Sequence, residues 1–263
     1  MALLPFKSNH KPHRFDLKGR RALVITTSQQ TLDTVDPQTG AVLKTGKPTG
    51  VYAAEMTEPY YVFRDSGLDV DLASIKGGPI PIERESLWFP LRTGYDRRYL
   101  KDEVAQSKAA NSLCIADITV EDYDILFMAG GWGAAYDLMQ SASLGQKISE
   151  AYAAGKILGS ICHGALGFIG AVKPDGSPLA RGVRITGVTN RQLKVLGVTD
   201  TPRHPETELR RVGAEYEWTR NPITDLFANH VTVDESHNIV SAQNQKGGAE
   251  VAEKALELLA KRT

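Results

Sequence analysis

The sequence predicts an α/β protein with a mostly parallel central sheet and helices on both faces. Two observations carry that prediction. Short runs rich in β-branched and aliphatic residues alternate with amphipathic segments along the whole chain, with no internal repeat or low-complexity tract. Two of the apolar runs, "DYDILFMAGG" and "KILGSICHG", end in small residues, as strands do where a parallel sheet opens onto a ligand-binding rim.

Taken in order, "RALVITT" at 21–27 is the first strand. "SQQTLDTVDPQTGAVLKTGKPTG" is rich in Gly, Pro, Thr and Asp and reads as a surface loop turning at Asp36-Pro37. "GVYAAEMTEPYYVFRDSG" has helical spacing, interrupted at Pro59, and "LDVDLAS" alternates like a strand, which completes a βαβ unit. The segment 75–120 mixes turn residues, aromatics and charges and is expected as an irregular insertion over a sheet edge or pocket. Next come a buried strand in "DYDILFMAGG", a helix over 134–153 and a strand in "KILGSI". A strand at "VRITGV", a helix in "PETELRRVG", a strand pair in "HVTVDESHNIVSAQ" and a terminal helix in "GGAEVAEKALELLAKR" finish the chain. The domain reading is an irregular extension at 1–20 and a single domain at 21–263.

Composition narrows the function. Thirty-one Lys and Arg balance 31 Asp and Glu, so no net field favours nucleic acid or an anionic membrane surface. No apolar run is long enough to span a bilayer, and the start has no signal-peptide core. The balanced charge points to a small-molecule or protein partner, and two cysteines are too few for a disulfide framework, so the expectation is a reducing, cytoplasmic setting. His10, His13, His204, His230 and His237 form no ligand pattern, and no metal is expected.

The chemistry concentrates at Cys162. A strand turning sharply into a helix strains the corner residue and tolerates only small neighbours; Gly159, Ser160, Gly164 and Ala165 supply them. A helix start beside the sulfur would favour the thiolate. Free cysteines are more often inert packing residues, which is the reading for Cys114. Adjacent His163 is a candidate general base or acid. The amides of Gly130, Gly131 and Gly164 are candidate oxyanion donors, and Trp132 within "GGWGAAY" breaks any dinucleotide fingerprint.

With these residues in place, the chain resembles the ThiJ/PfpI superfamily, the flavodoxin-like group related to class I glutamine amidotransferases, and within it the heat-shock chaperone and glyoxalase III branch. The blocks that carry the likeness are "KPTGVYAAEMTEPY", "YDILFMAGGWGAAYDL", "GSICHGALGF", "RITGVTN" and "NIVSAQN". The resemblance implies a flavodoxin-like three-layer sandwich and a nucleophile elbow at Cys162. It also implies that Glu55 is a buried acid with a raised pKa, sharing a hydrogen bond with the sulfur; Glu58 is read as a surface or turn residue. Relatives often place a carboxylate after the "ITG" strand to orient the histidine; here Asn190 stands in that segment as a candidate orienting group, and Trp132 narrows the pocket. The implied activity is cofactor-independent conversion of a 2-oxoaldehyde such as methylglyoxal to a 2-hydroxy acid, or related deglycation, by a homodimer. The alternatives are a stress chaperone for unfolded clients, with a patch at Trp88, Phe89 and Trp132, and a redox sensor using Cys162. A cysteine hydrolase or peptidase is a lesser alternative. Amidotransfer has His204-Pro205-Glu206 in its favour, but Leu166 stands where those enzymes carry a glutamine.

Overall fold

A computed structural model describes residues 15–36, 38–198, 201–220 and 228–262. His10, His13, Pro37 and most of the 1–20 extension lie outside the described residues. The first apolar run forms β1 (Arg21–Thr26), and the Gly- and Thr-rich loop after it contains a two-stranded hairpin, β2 (Thr34–Val35) and β3 (Val42–Lys44). Helix α1 (Ala53–Asp65) runs on through Pro59. An interior proline costs about 3 kcal/mol. Every residue of α1 from Ala53 to Phe63 is buried, and that packing outweighs the local cost.

Strand β4 (Asp69–Ser74) follows, and then the segment expected to be irregular. It holds more order than its composition suggests: α2 (Gly94–Tyr99), opened by a Thr93–Asp96 capping box, α3 (Glu103–Ala110), and the edge strand β5 (Leu113–Cys114). β6 (Ile125–Met128) is next. The single helix expected over 134–153 is two, α4 (Ala134–Asp137) and α5 (Ala142–Ala153), because the Ser141 hydroxyl accepts the Leu144 N–H and restarts the helix. β7 (Ile157–Ile161) then runs into a 3₁₀ turn at Cys162–Phe168.

The "VRITGV" strand is only β8 (Arg184–Ile185). It pairs not with the central sheet but with β9 (Glu215–Tyr216) in a separate two-stranded sheet. Between them lie α6 (Asn190–Leu196), which the sequence reading did not anticipate, and α7 (Pro205–Arg211). The antiparallel pair β10 (Val231–Asp234) and β11 (Ile239–Ala242) and helix α8 (Gly248–Ala260) form as read.

The seven-stranded sheet has the order β10-β11-β7-β6-β1-β4-β5, and every pairing except β10 with β11 is parallel. Alternate residues of each strand face opposite layers. Ala22, Val24, Ile125 and Phe127 pack with α1 and α8, while Leu23, Ile25, Leu126 and Met128 pack with α4 and α5. The Phe63 and Phe127 rings meet edge to face at 6.0 Å and tie α1 to β6. Glu58, read as a surface residue, is instead buried, and its Oε2 accepts the Ala249 N–H at 2.9 Å at the start of α8. Among the described residues no helix is long and apolar enough to cross a membrane.

Candidate active site

Cys162 leaves β7 with φ at 56°, a left-handed conformation that costs a non-glycine residue roughly 1–3 kcal/mol. The glycines around it are needed for space. A Cβ on Gly164 would lie 2.1 Å from the Met128 carbonyl oxygen, and one on Gly159 2.4 Å from the Phe127 ring. The strand is therefore pressed against β6 on both sides of the corner, and the strained corner is held in place by its neighbours.

Around the sulfur stand the adjacent His163 and groups from two distant parts of the chain. His163 Nδ1 lies 3.6 Å from Sγ. Glu55, on the first turn of α1, is almost fully buried, and its carboxyl faces the thiol and the Gly130 N–H. The N–H groups of His163 and Gly131 point at the sulfur. Of the expected oxyanion donors, Gly131 thus faces sulfur, Gly130 serves Glu55, and Gly164 acts by being small. A Cβ on Gly130 would sit 2.5 Å from Glu55 Oε2, so the carboxyl needs the bare backbone to fit.

The expected lowering of the thiol pKa does not hold. Burial pushes Cys162 well above its ordinary value and the Glu55 charge adds to this, while the two N–H groups act the other way. The turn after it is a short 3₁₀ segment, whose dipole is too small to overcome that desolvation. Glu55 is likewise pushed up, chiefly by burial and further by Glu83 and Glu58, with the thiol and the Gly130 N–H opposing. Two buried acids in contact do not both ionise, so the pair keeps a proton that can pass between oxygen and sulfur. Burial, with nearby His204, lowers His163 to about 3, so its ring is neutral at physiological pH.

Asn190 does not orient His163. Its side-chain amide donates to and its carbonyl accepts from Thr207, and its backbone N–H goes to Glu206. The residue of that segment that reaches the site is Gln192, buried, with Nε2 donating to the Ala228 carbonyl. Trp132 does reach it: its ring meets the His163 ring edge to face at 5.3 Å. These groups line a cavity of about 250 Å³ together with Lys47, Tyr52, Glu83, Val188 and Leu196. Glu83 was missed by the sequence reading, and "GGPIPIERE" carries no signal that marks it as buried, since Arg84 and Glu85 follow it directly. His204 precedes α7 without a side-chain capping bond, and the Glu206 carboxylate pairs with Arg210 and the Asn190 N–H. Glu206 is therefore committed to structure.

A parallel sheet with a strained cysteine beyond the end of an inner strand, beside a histidine and a buried glutamate, defines a flavodoxin-like protein with a nucleophile elbow. Residues 47–258 match the model of the DJ-1/PfpI family, and the chain belongs to that family. It is 32% identical over 158 residues to Glyoxalase 3 of Candida albicans, covering 59% of this chain and 66% of that protein. It is 30% identical over 193 residues to the glutathione-independent glyoxalase HSP31 of Saccharomyces cerevisiae, covering 68% of this chain and 81% of that one. Among solved structures, glyoxalase III from Candida albicans superposes with a TM-score of 0.77 at 26% identity, covering 91% of this chain and 97% of the other. The Rapid Encystment Protein of Francisella tularensis gives 0.79 at 28% identity, covering 91% and 99%.

Proposed function

We propose that this protein is a cofactor-independent cysteine enzyme that converts 2-oxoaldehydes such as methylglyoxal to 2-hydroxy acids. The observation that carries the reading is the meeting of Glu55, Cys162 and His163 at one cavity wall, in a chain whose relatives are named glyoxalases. The sulfur adds to the aldehyde carbon, and the proton held by the Glu55–Cys162 pair passes to the carbonyl oxygen, giving a hemithioacetal. Neutral His163 removes the hydrogen from the same carbon. The electron pair moves into a carbon–carbon double bond, and the neighbouring carbonyl oxygen takes the first hydroxyl's proton, relayed by the Glu55 carboxylate, giving an enediolate. The protonated His163 then gives its proton to the second carbon as the first carbon's oxygen re-forms a carbonyl, leaving a thioester; water adds its hydroxyl to that carbon and a hydrogen to the departing sulfur, giving lactate and the free thiol. The Gly131 and His163 N–H groups, which point at the sulfur, would steady the oxygen that gains negative charge beside it. Deglycation of protein adducts would use the same groups.

The test follows methylglyoxal loss and lactate formation with pure protein. Turnover that vanishes in Cys162→Ala is expected; no turnover in the wild type, or unchanged turnover in the variant, sinks the reading. One observation favours a second, non-enzymatic role in binding unfolded clients: Trp88 and Phe89 are 62% and 71% exposed beside the cavity-lining Leu91. Suppression of client aggregation that survives Cys162→Ala is its signature.

A further inference from the structure

Three consecutive amides beside the thiol serve three different acceptors. The Gly130 N–H faces the Glu55 carboxyl, the Gly131 N–H faces the Cys162 sulfur, and the Trp132 N–H donates to Glu83 Oε1 at 2.7 Å. Gly131 has φ at 96°, so the turn bends sharply between its outer anchors. Glu83 is itself fixed from several sides. Its own N–H donates to the Val51 carbonyl at 3.0 Å, its carbonyl accepts from Ser86, and the Thr49 hydroxyl donates to Oε1 at 3.3 Å. Ser86 Oγ in turn accepts the Ala53 N–H at the start of α1, the helix that carries Glu55. The reaction does not use Glu83 directly, yet this buried carboxyl lines the same cavity.

We propose that Glu83 is a positioning residue, which holds the Gly130–Trp132 turn so that the Gly131 N–H stays aimed at the Cys162 sulfur and at the oxygen formed beside it. This rests on the thiol-enzyme reading above. A carboxylate accepts an N–H more strongly than a neutral acid does, so the grip on the turn depends on the charge of Glu83. Burial raises its pKa to about 7, with Glu85 adding to the rise and Lys47 opposing it. Glu55 and Tyr52 are the other titratable groups that feel its charge. The same peptide carries the Trp132 ring that rests on His163, so loosening it also frees the base.

The experiment compares wild type, Glu83→Gln and Glu83→Ala from about pH 5.5 to 8.5, spanning the range of a base poised near neutrality. It reads methylglyoxal turnover and, independently, the rate of iodoacetamide alkylation at Cys162 followed by peptide mass. Removal of one well-placed oxyanion donor costs about 10²- to 10³-fold. Loosening one should lower kcat by about 10- to 100-fold in Glu83→Ala with little change in KM. Glu83→Gln should recover most of that loss, because its amide oxygen still accepts the Trp132 N–H, and should flatten the inflection near pH 7 in the alkylation rate. The proposal is overturned by equal impairment of Gln and Ala, by a loss confined to KM, or by identical alkylation profiles in wild type and Glu83→Gln. If Glu83→Ala does not fold, the Gln profile decides. Absence of methylglyoxal turnover in the wild type, with the alkylation profiles still differing, would refute the aldehyde reading and leave the positioning role standing.

Discussion

Replacing Glu58 by glutamine should make the protein more stable as the pH rises. Glu58 is buried between α1 and α8, and burial lifts its pKa from an ordinary 4.5 to about 8, with Asp96 adding to the rise and the Ala249 N–H opposing it. Below pH 4.5 both folded and unfolded chains hold the proton. Between there and about pH 8 the unfolded chain releases it and the folded chain does not, so stability falls with rising pH. At about 1.4 kcal/mol for each pH unit, the loss approaches 5 kcal/mol, and about 3 kcal/mol after some local relaxation. Glutamine has nearly the same shape, can accept the Ala249 N–H and cannot ionise. Unfolding free energies of the two proteins from urea titration should nearly coincide at about pH 5 and separate by about 3–5 kcal/mol at about pH 8, at unchanged slope. Glu83 and Asp137 also have raised pKa values but are common to both proteins and cancel in the difference; Glu55, which the Glu58 charge helps to raise, shifts in the same stabilising direction. A difference that does not grow with pH, or a wild type that is the more stable protein at pH 8, would refute the reasoning.

Further outcomes follow from the same geometry. Gly164→Ala should cost about 1–3 kcal/mol in thermal or chemical unfolding, since the atom its Cβ meets at 2.1 Å is backbone and cannot rotate away. Glu55→Gln should abolish aldehyde turnover while making Cys162 easier to ionise, because the Glu55 charge and hydrogen bond both raise the thiol; faster iodoacetamide labelling at neutral pH would show it. The His163 ring, lowered to about 3, should give no imidazole titration between pH 5 and 8 by nuclear magnetic resonance; an inflection near 6.5 would contradict its burial.

The parts legible in the sequence are those whose burial is continuous along the chain. β1, β6 and β7 are apolar runs closed by small residues, and the last helix has an unbroken apolar stripe. The elbow was legible because strained φ and tight packing restrict neighbouring residue types, which Gly159 and Gly164 display openly. The buried acids were not, since a glutamate letter says nothing of its surroundings: Glu55 was found only through resemblance, Glu58 was placed on the surface, and Glu83 was passed over. Asn190 and Gln192 show the limit of segment-level reading. Two positions apart on a helix point to nearly opposite sides, so Asn190 meets Thr207 while Gln192 meets the cavity. The thiol pKa was misjudged because a helix terminus was weighed without the desolvation that only the packed layers impose.

The contact between Glu58 and the Ala249 N–H also orders events in time. During synthesis α8 leaves the ribosome after every residue of the thiol site, so α1 has no partner on that side until the final turns are made. Glu58 is the carboxyl that α8 closes off, since its Oε2 accepts the Ala249 N–H and a Cβ on Gly248 would fall 2.4 Å from it. A nascent chain therefore carries Glu58 as a hydrated carboxylate, and this carboxyl takes up its guarded proton only when α8 is in place.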